Sequence, residues 1–216
     1  MGKLIIKEKI LSKNSDMAKQ LRNKFKNTLV LNFVSSPGSG KTSILERVLV
    51  MLKDKYKLAV IEGDQQTSND ADRIEATGVR AFQVNTGGSC HLEASDVERG
   101  IAELGLDLDL LIIENVGNLV CPAAFDLGED AKIIVLSTTE GEDKPIKYPT
   151  MFRVGTAFII NKTDLLPYVD FDIEKCIEYA KGVKPDLDVI KTSCKTGEGL
   201  QELARYIEKM IQIKKG

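Results

Sequence analysis

Leu29-Val30-Leu31-Asn32-Phe33-Val34-Ser35-Ser36-Pro37-Gly38-Ser39-Gly40-Lys41-Thr42 runs from a continuous apolar stretch, through a glycine-bearing turn, to the start of a periodic helix. Its second half follows the Walker A pattern G-x-x-x-x-G-K-[ST], with Ser35 in the place of the first glycine. The departure matters little physically. Gly38 and Gly40 still let the backbone wrap phosphate oxygens, and the N–H groups of Ser39, Lys41, Thr42 and Ser43 at the helix start face an anion. Lys41 is expected to bridge the outer phosphates of a nucleotide, and Thr42 to offer its hydroxyl to Mg2+.

Outward from this turn, short apolar runs alternate with helical stretches. The strands expected are 29–34, 58–62, 79–84, 108–114, 132–136, 156–161 and 187–190. Continuous apolar runs mark strands buried on both faces, and the alternation predicts a doubly wound, mostly parallel α/β sheet with helices on both faces. The helices show matching stripes. Ile44, Leu45, Val48, Leu49 and Leu52 form one, Ile173, Cys176, Ile177 and Ala180 a second, and Leu200, Leu203, Ala204, Ile207 and Ile211 a third. Met17, Leu21 and Phe25 suggest an additional helix over about 12–26. The expected organisation is one P-loop domain over 1–216, with 1–27 as an N-terminal helical extension.

Two further elements belong with the phosphate loop. Leu110-Leu111-Ile112-Ile113-Glu114-Asn115-Val116-Gly117 ends a buried strand in a carboxylate, where P-loop proteins hold magnesium, and Gly117 lies where an N–H senses a γ-phosphate. Val60-Ile61-Glu62-Gly63-Asp64-Gln65-Gln66-Thr67 closes another strand with two carboxylates. Asp64 is favoured for the magnesium and the attacking water. Glu62 is the weaker candidate and reads equally as a cap on the following loop.

Guanine is read from Asn161-Lys162-Thr163-Asp164, an N-K-x-D sequence. A carboxylate at Asp164 accepts hydrogen bonds from guanine N1–H and the 2-amino group, an arrangement that adenine lacks. Two charge-assisted bonds give a preference of roughly 10²–10⁴-fold. Ser193-Cys194-Lys195 follows the next strand in the manner of the loop that meets guanine O6. The motif order therefore favours GTP over ATP.

Composition narrows the class. The chain has 216 residues, 43% of them apolar, and a net charge of −2 with both signs interleaved. That argues against a general nucleic-acid or membrane-surface binder. No apolar run approaches the roughly 20 residues of a membrane span, and Met1 to Glu8 is too charged for a secretory signal. A cytoplasmic protein is expected.

The four cysteines, Cys90, Cys121, Cys176 and Cys194, are too widely spread for a disulfide framework. Cys90 precedes the lone histidine, His91, in a segment expected to open a helix, where a thiolate is stabilised. Cys121-Pro122 lies seven residues after Glu114. Thiolate and imidazole suit nickel or zinc, and three ligands leave an open position or call for a second subunit. The residues alone read equally well as two small buried cysteines and a surface histidine. Cys176 is expected in the core, and Cys194 in the base loop.

With S-S-P-G-S-G-K-T, E-G-D-Q-Q-T-S-N-D-A-D-R-I, N-T-G-G-S-C-H-L, I-E-N-V-G-N-L-V-C-P, E-G-E-D-K-P-I-K-Y-P and N-K-T-D in place, the chain resembles the HypB family of nickel-insertion GTPases from end to end. The resemblance implies a SIMIBI-class GTPase that forms a homodimer when GTP is bound. It implies nickel or zinc binding by Cys90, His91 and Cys121 near the subunit interface, and nickel delivery to the [NiFe]-hydrogenase large subunit with HypA as partner. Some relatives carry an N-terminal cysteine motif or histidine-rich stretch; no cysteine or histidine precedes Cys90 here. The alternatives are a urease-type nickel GTPase, which the Cys-His adjacency disfavours, a metal carrier with a vestigial nucleotide site, and a signal-recognition-type GTPase.

Overall fold

The seven expected strands all form, within three residues of their expected limits. The computed structural model describes residues 2–64 and 69–216, and the side chains of 11–64 and 70–216. Residues 65–68, part of the expected loop after Asp64, lie outside the described residues. The order is α1 (Gly2–Lys24), β1 (Leu29–Ser35), α2 (Lys41–Leu52), β2 (Leu58–Asp64), α3 (Asn69–Glu75), β3 (Arg80–Asn85), α4 (Ala94–Leu104) and β4 (Leu110–Gly117). Then come β5 (Ala131–Ser137), α5 (Lys144–Lys147), α6 (Pro149–Val154), β6 (Ala157–Asn161), α7 (Ile173–Val183), β7 (Asp188–Lys191) and α8 (Leu200–Lys215).

The strands form one sheet in the order β3-β2-β4-β1-β5-β6-β7, with every recorded pair parallel. Period-two alternation explains how the sheet is covered. Leu31 and Phe33 of β1 face the core under α2 and α8, while Val30 faces the one under α1 and α4. Val34 joins a third cluster with Phe152 of α6 and with Cys176 and Ala180 of α7. Central strands β1 and β5 are buried along their whole length, whereas edge strands β3 and β7 are partly exposed and more polar.

Two helices differ from expectation. The N-terminal helix begins at Gly2, well before residue 12. Its docking rests on Leu21 and Phe25, both within the core, whose burial contributes about 3–6 kcal/mol together. That exceeds the surface pairs Arg22–Asp126 and Lys24–Glu98, each worth about 0–1 kcal/mol. The helix expected to start at Cys90 starts instead at Ala94, because Glu93 and Asp96 form a reciprocal capping box there. The helix-start argument for Cys90 therefore does not apply, since the helix dipole fades within one turn.

Candidate nucleotide and metal site

The carboxyl ends of the parallel strands bring the motifs to one edge, where doubly wound sheets bind ligands. There the turn after β1 walls a cavity of about 530 Å³, with Lys41, Glu62, Asp64, Glu114, Gly117 and Lys162 among its lining. Gly40, at φ 92°, precedes α2 in the left-handed conformation. A Cβ there would lie 2.5 Å from the Asn161 side-chain nitrogen, so only glycine lets these two segments approach so closely. Ser35 supplies what a glycine would not: its Oγ accepts a hydrogen bond from Lys41 Nζ at 2.8 Å.

The segments expected to read the base are cross-tied to the turn after β1. Asn161 Nδ2 donates to the Ser39 carbonyl at 2.9 Å, and Thr192 Oγ1 donates to Asn161 Oδ1 at 3.1 Å. Lys162, at φ 63°, sends its ammonium to the Gly38 carbonyl at 2.7 Å. Asp164 accepts from Ser193 Oγ at 2.6 Å. Cys194 lies beside them, its Sγ 4.0 Å from Asn161 Oδ1, and burial pushes its thiol up. Lys195 follows it in the same loop. Cys176 lies in the core as expected, and burial raises its thiol to about 12.

Strand register places Glu62 directly beside Glu114. Both are almost fully buried. With Asp70 on α3 they present three carboxylates whose nearest oxygens lie within 4.8 Å of one another. Thr42 Oγ1 donates to Glu114 Oε1 at 2.8 Å, while the second oxygens of Glu62 and Glu114 have no partner among the described residues. Burial, followed by the charge of Glu114, holds the Glu62 carboxyl well above its ordinary range. Burial raises Glu114 as well. The two carboxyls titrate as a pair, both above the ordinary range, with Glu62 raised the further.

A second cluster lies on the opposite side of the β4 end. Cys90 Sγ is 3.1 Å from Cys121 Sγ and 3.7 Å from His91 Nδ1, and the ligand atoms of Cys90, His91 and Cys121 all lie within 4.8 Å of one another. The imidazole packs on Phe125 with ring centroids 3.8 Å apart, and burial lowers its pKa, favouring the neutral form that binds metals.

The sequence pattern of the CobW/HypB/UreG nucleotide-binding domain matches residues 29–191. Over 209 residues the chain is 56% identical to hydrogenase maturation factor HypB of Azotobacter vinelandii, covering 95% of this chain and 69% of that one. The chain belongs to the HypB family of hydrogenase maturation factors. In structure it is similar to HypB from Archaeoglobus fulgidus, at 35% identity and a TM-score of 0.87, with 93% of this chain and 99% of that one covered. It is equally similar to HypB from Helicobacter pylori in complex with nickel, at 40% identity and a TM-score of 0.87, with 93% and 95% covered.

In this HypB-family chain two residues on the cavity wall escaped the sequence reading. Asp70 belongs to the carboxylate cluster, while Asp64, half-buried at the end of β2, lines the cavity outside that trio. Arg73 donates to Asp70 and Glu46, and to Ser43 Oγ at 3.0 Å. The signal for both was Asp70 and Arg73 spaced three apart on one short helix. Among the described residues no helix is long and apolar enough to cross a membrane.

The raised Glu62 carboxyl makes a pH prediction. A carboxyl whose folded pKa exceeds its unfolded value binds more protons when folded. Stability is therefore lost as pH rises from the ordinary range near 4.5 toward the raised folded value. In nucleotide-free, magnesium-free protein, Glu62→Gln is expected to melt above wild type at pH 8. The gap should narrow toward pH 4.5; parallel melting curves across that range would contradict the assignment.

Proposed function

We propose that this protein is a GTP-hydrolysing metallochaperone that delivers nickel to [NiFe]-hydrogenase, pairing with a second copy when GTP is bound. The observation that carries this reading is a single strand end shared by two sites. Glu114 faces the nucleotide cavity, and the same segment continues to Cys121 in the sulfur cluster.

Gly38 to Ser43 cradle the GTP phosphates, and Lys41 offsets charge on the outer two as the terminal bond breaks. Asp164 accepts from the guanine, with Asn161, Lys162 and the Ser193-Cys194-Lys195 loop framing the base. Asp64 orients the attacking water. The unpartnered oxygens of Glu62 and Glu114 fit a hard cation with oxygen ligands. Thr42, Asp64 and Glu114 would hold Mg2+, which when bound neutralises charge on the transferred phosphoryl group. Nickel, with zinc as a competitor, is the cargo. Two sulfurs and one imidazole suit such borderline ions and leave a position open for transfer.

The rest of the reading follows from the family: a HypA-type nickel chaperone and the hydrogenase large subunit as partners, a cytoplasmic setting, and one domain over 1–216 with 1–27 as an added helical segment. The test combines phosphate release from GTP and ATP with nickel binding. Wild type is expected to prefer GTP, and Cys121→Ala to weaken nickel at least roughly tenfold, since one of three ligands is lost. Unchanged nickel affinity in Cys121→Ala would refute the cargo site.

A further inference from the structure

The Cys90–His91 turn has hydrogen bonds of its own, Ser89 Oγ donating to the His91 carbonyl at 3.1 Å, and it is also pinned on both sides by side-chain amides from the β4 segment. On one side Asn118 Nδ2 donates to the Cys90 carbonyl at 3.2 Å. On the other, Leu92 N donates to Asn115 Oδ1 at 3.2 Å. The first contact is to the backbone of a ligand residue, the second to the residue that follows His91.

The two amides differ in what holds them. Asn115 is almost fully buried. Its Oδ1 also accepts from Val116 N at 3.0 Å, and its Nδ2 donates to Asn32 Oδ1 at 3.2 Å. Asn32 Nδ2 in turn donates to Glu129 Oε1 at 3.1 Å, and that carboxylate is paired with Lys132. Because two backbone donors face Asn115 Oδ1 and an acceptor faces Nδ2, the amide has one satisfactory orientation. It is locked to the centre of the sheet.

Asn118 is half-buried and follows Gly117, the residue pressed against the phosphate turn. A Cβ at Gly117 would come within 2.9 Å of Pro37 Cα. Asn118 Oδ1 accepts from Val120 N at 2.8 Å, on the approach to Cys121. One side chain thus grips the segment leading to Cys121 with its oxygen and the Cys90 carbonyl with its nitrogen. A displacement of Gly117 would therefore reach the backbone of Cys90 and the approach to Cys121 through this side chain.

We propose that Asn118 is the positioning residue that couples the nucleotide to the metal ligands, with Asn115 as the fixed point against which the turn moves. The proposal rests on the function set out above, and names how its two sites communicate. Coupling between sites requires that the two nucleotides differ in the ligand arrangement they favour, and Asn118 supplies the mechanical link for that difference.

The experiment is a titration of the full-length protein with Ni2+ alone, in the GDP form and in the form bound to a non-hydrolysable GTP analogue. Wild type, Asn118→Ala, Asn118→Asp and Asn115→Asp are compared, with melting curves and nucleotide affinity measured on each. Wild type is expected to show an affinity ratio between the two forms of roughly 5- to 150-fold. Asn118→Ala should collapse that ratio to within about twofold while still binding both nucleotides. Asn118→Asp keeps the oxygen for Val120 but loses the donor to Cys90, so its ratio should collapse likewise. Asn115→Asp keeps the acceptor for Leu92 but loses the tie to Asn32. It should weaken nickel in both forms and keep the ratio. A wild-type ratio of one would sink both the coupling and this proposal. A large wild-type ratio retained in Asn118→Ala or Asn118→Asp would overturn the proposal alone.

Discussion

Lys41→Ala is expected to lower GTP turnover by roughly 10²–10³-fold, the usual cost of removing one group that stabilises developing charge. Three cations line the cavity, and their present partners decide which is available. Arg73 is engaged by the carboxylates of Asp70 and Glu46, and Lys162 is held by the Gly38 carbonyl. Lys41 is buried within reach of the charges of Glu114 and Glu62, but its hydrogen bond is to a neutral hydroxyl, Ser35 Oγ. Exchanging that hydroxyl for a phosphate oxygen replaces a neutral acceptor with a charged one, which is favourable. Single-turnover phosphate release, with GTP binding measured separately, checks this. Turnover within tenfold of wild type would assign the role to another cation.

Asp164→Ala is expected to erase the preference for GTP over ATP, a loss of roughly 10²–10⁴-fold in the ratio of affinities. The carboxylate is held at 2.6 Å by Ser193 Oγ, and β6 and β7 are adjacent in the sheet, so both walls of the proposed base site come from neighbouring strand ends. Asp164→Asn adds a sharper arm. An amide presents a donor where the carboxylate offers only acceptors, so it should favour xanthine, which carries a carbonyl in place of the 2-amino group of guanine. Competition binding with the three triphosphates gives the order. A retained GTP preference in Asp164→Ala would locate base recognition in the backbone of the Ser193 loop.

The parts legible in the sequence were those whose chemistry is contiguous. The phosphate turn from Ser35 to Thr42, and Asn161 to Asp164, each combine a strand end with its loop in one short run, so local pattern suffices. The buried central strands were equally plain because both their faces are apolar. Relations across strands were not legible. Glu62 meets Glu114 only through the β2–β4 register, and Asp70 joins them from a helix beyond the loop. Asn32, Asn115 and Asn118 look like ordinary polar residues until the sheet brings them together. The helix expected at Cys90 was misplaced by four residues, although Glu93 and Asp96, three apart, carried the capping signal that fixes its start. Leu21 and Phe25 are buried as expected, with Met17 packed partly buried against the same core and Ala18 joining them.

In the proposed function a terminal phosphate acts on the metal ligands through the end of β4, which carries Glu114 and leads on to Cys121. The most direct test is calorimetric titration of wild-type protein with nickel, first with GDP and then with a non-hydrolysable GTP analogue, while light scattering follows its mass. The account predicts a different nickel affinity in the two forms and a doubling of mass with the analogue. Identical affinity and identical mass in both would contradict it.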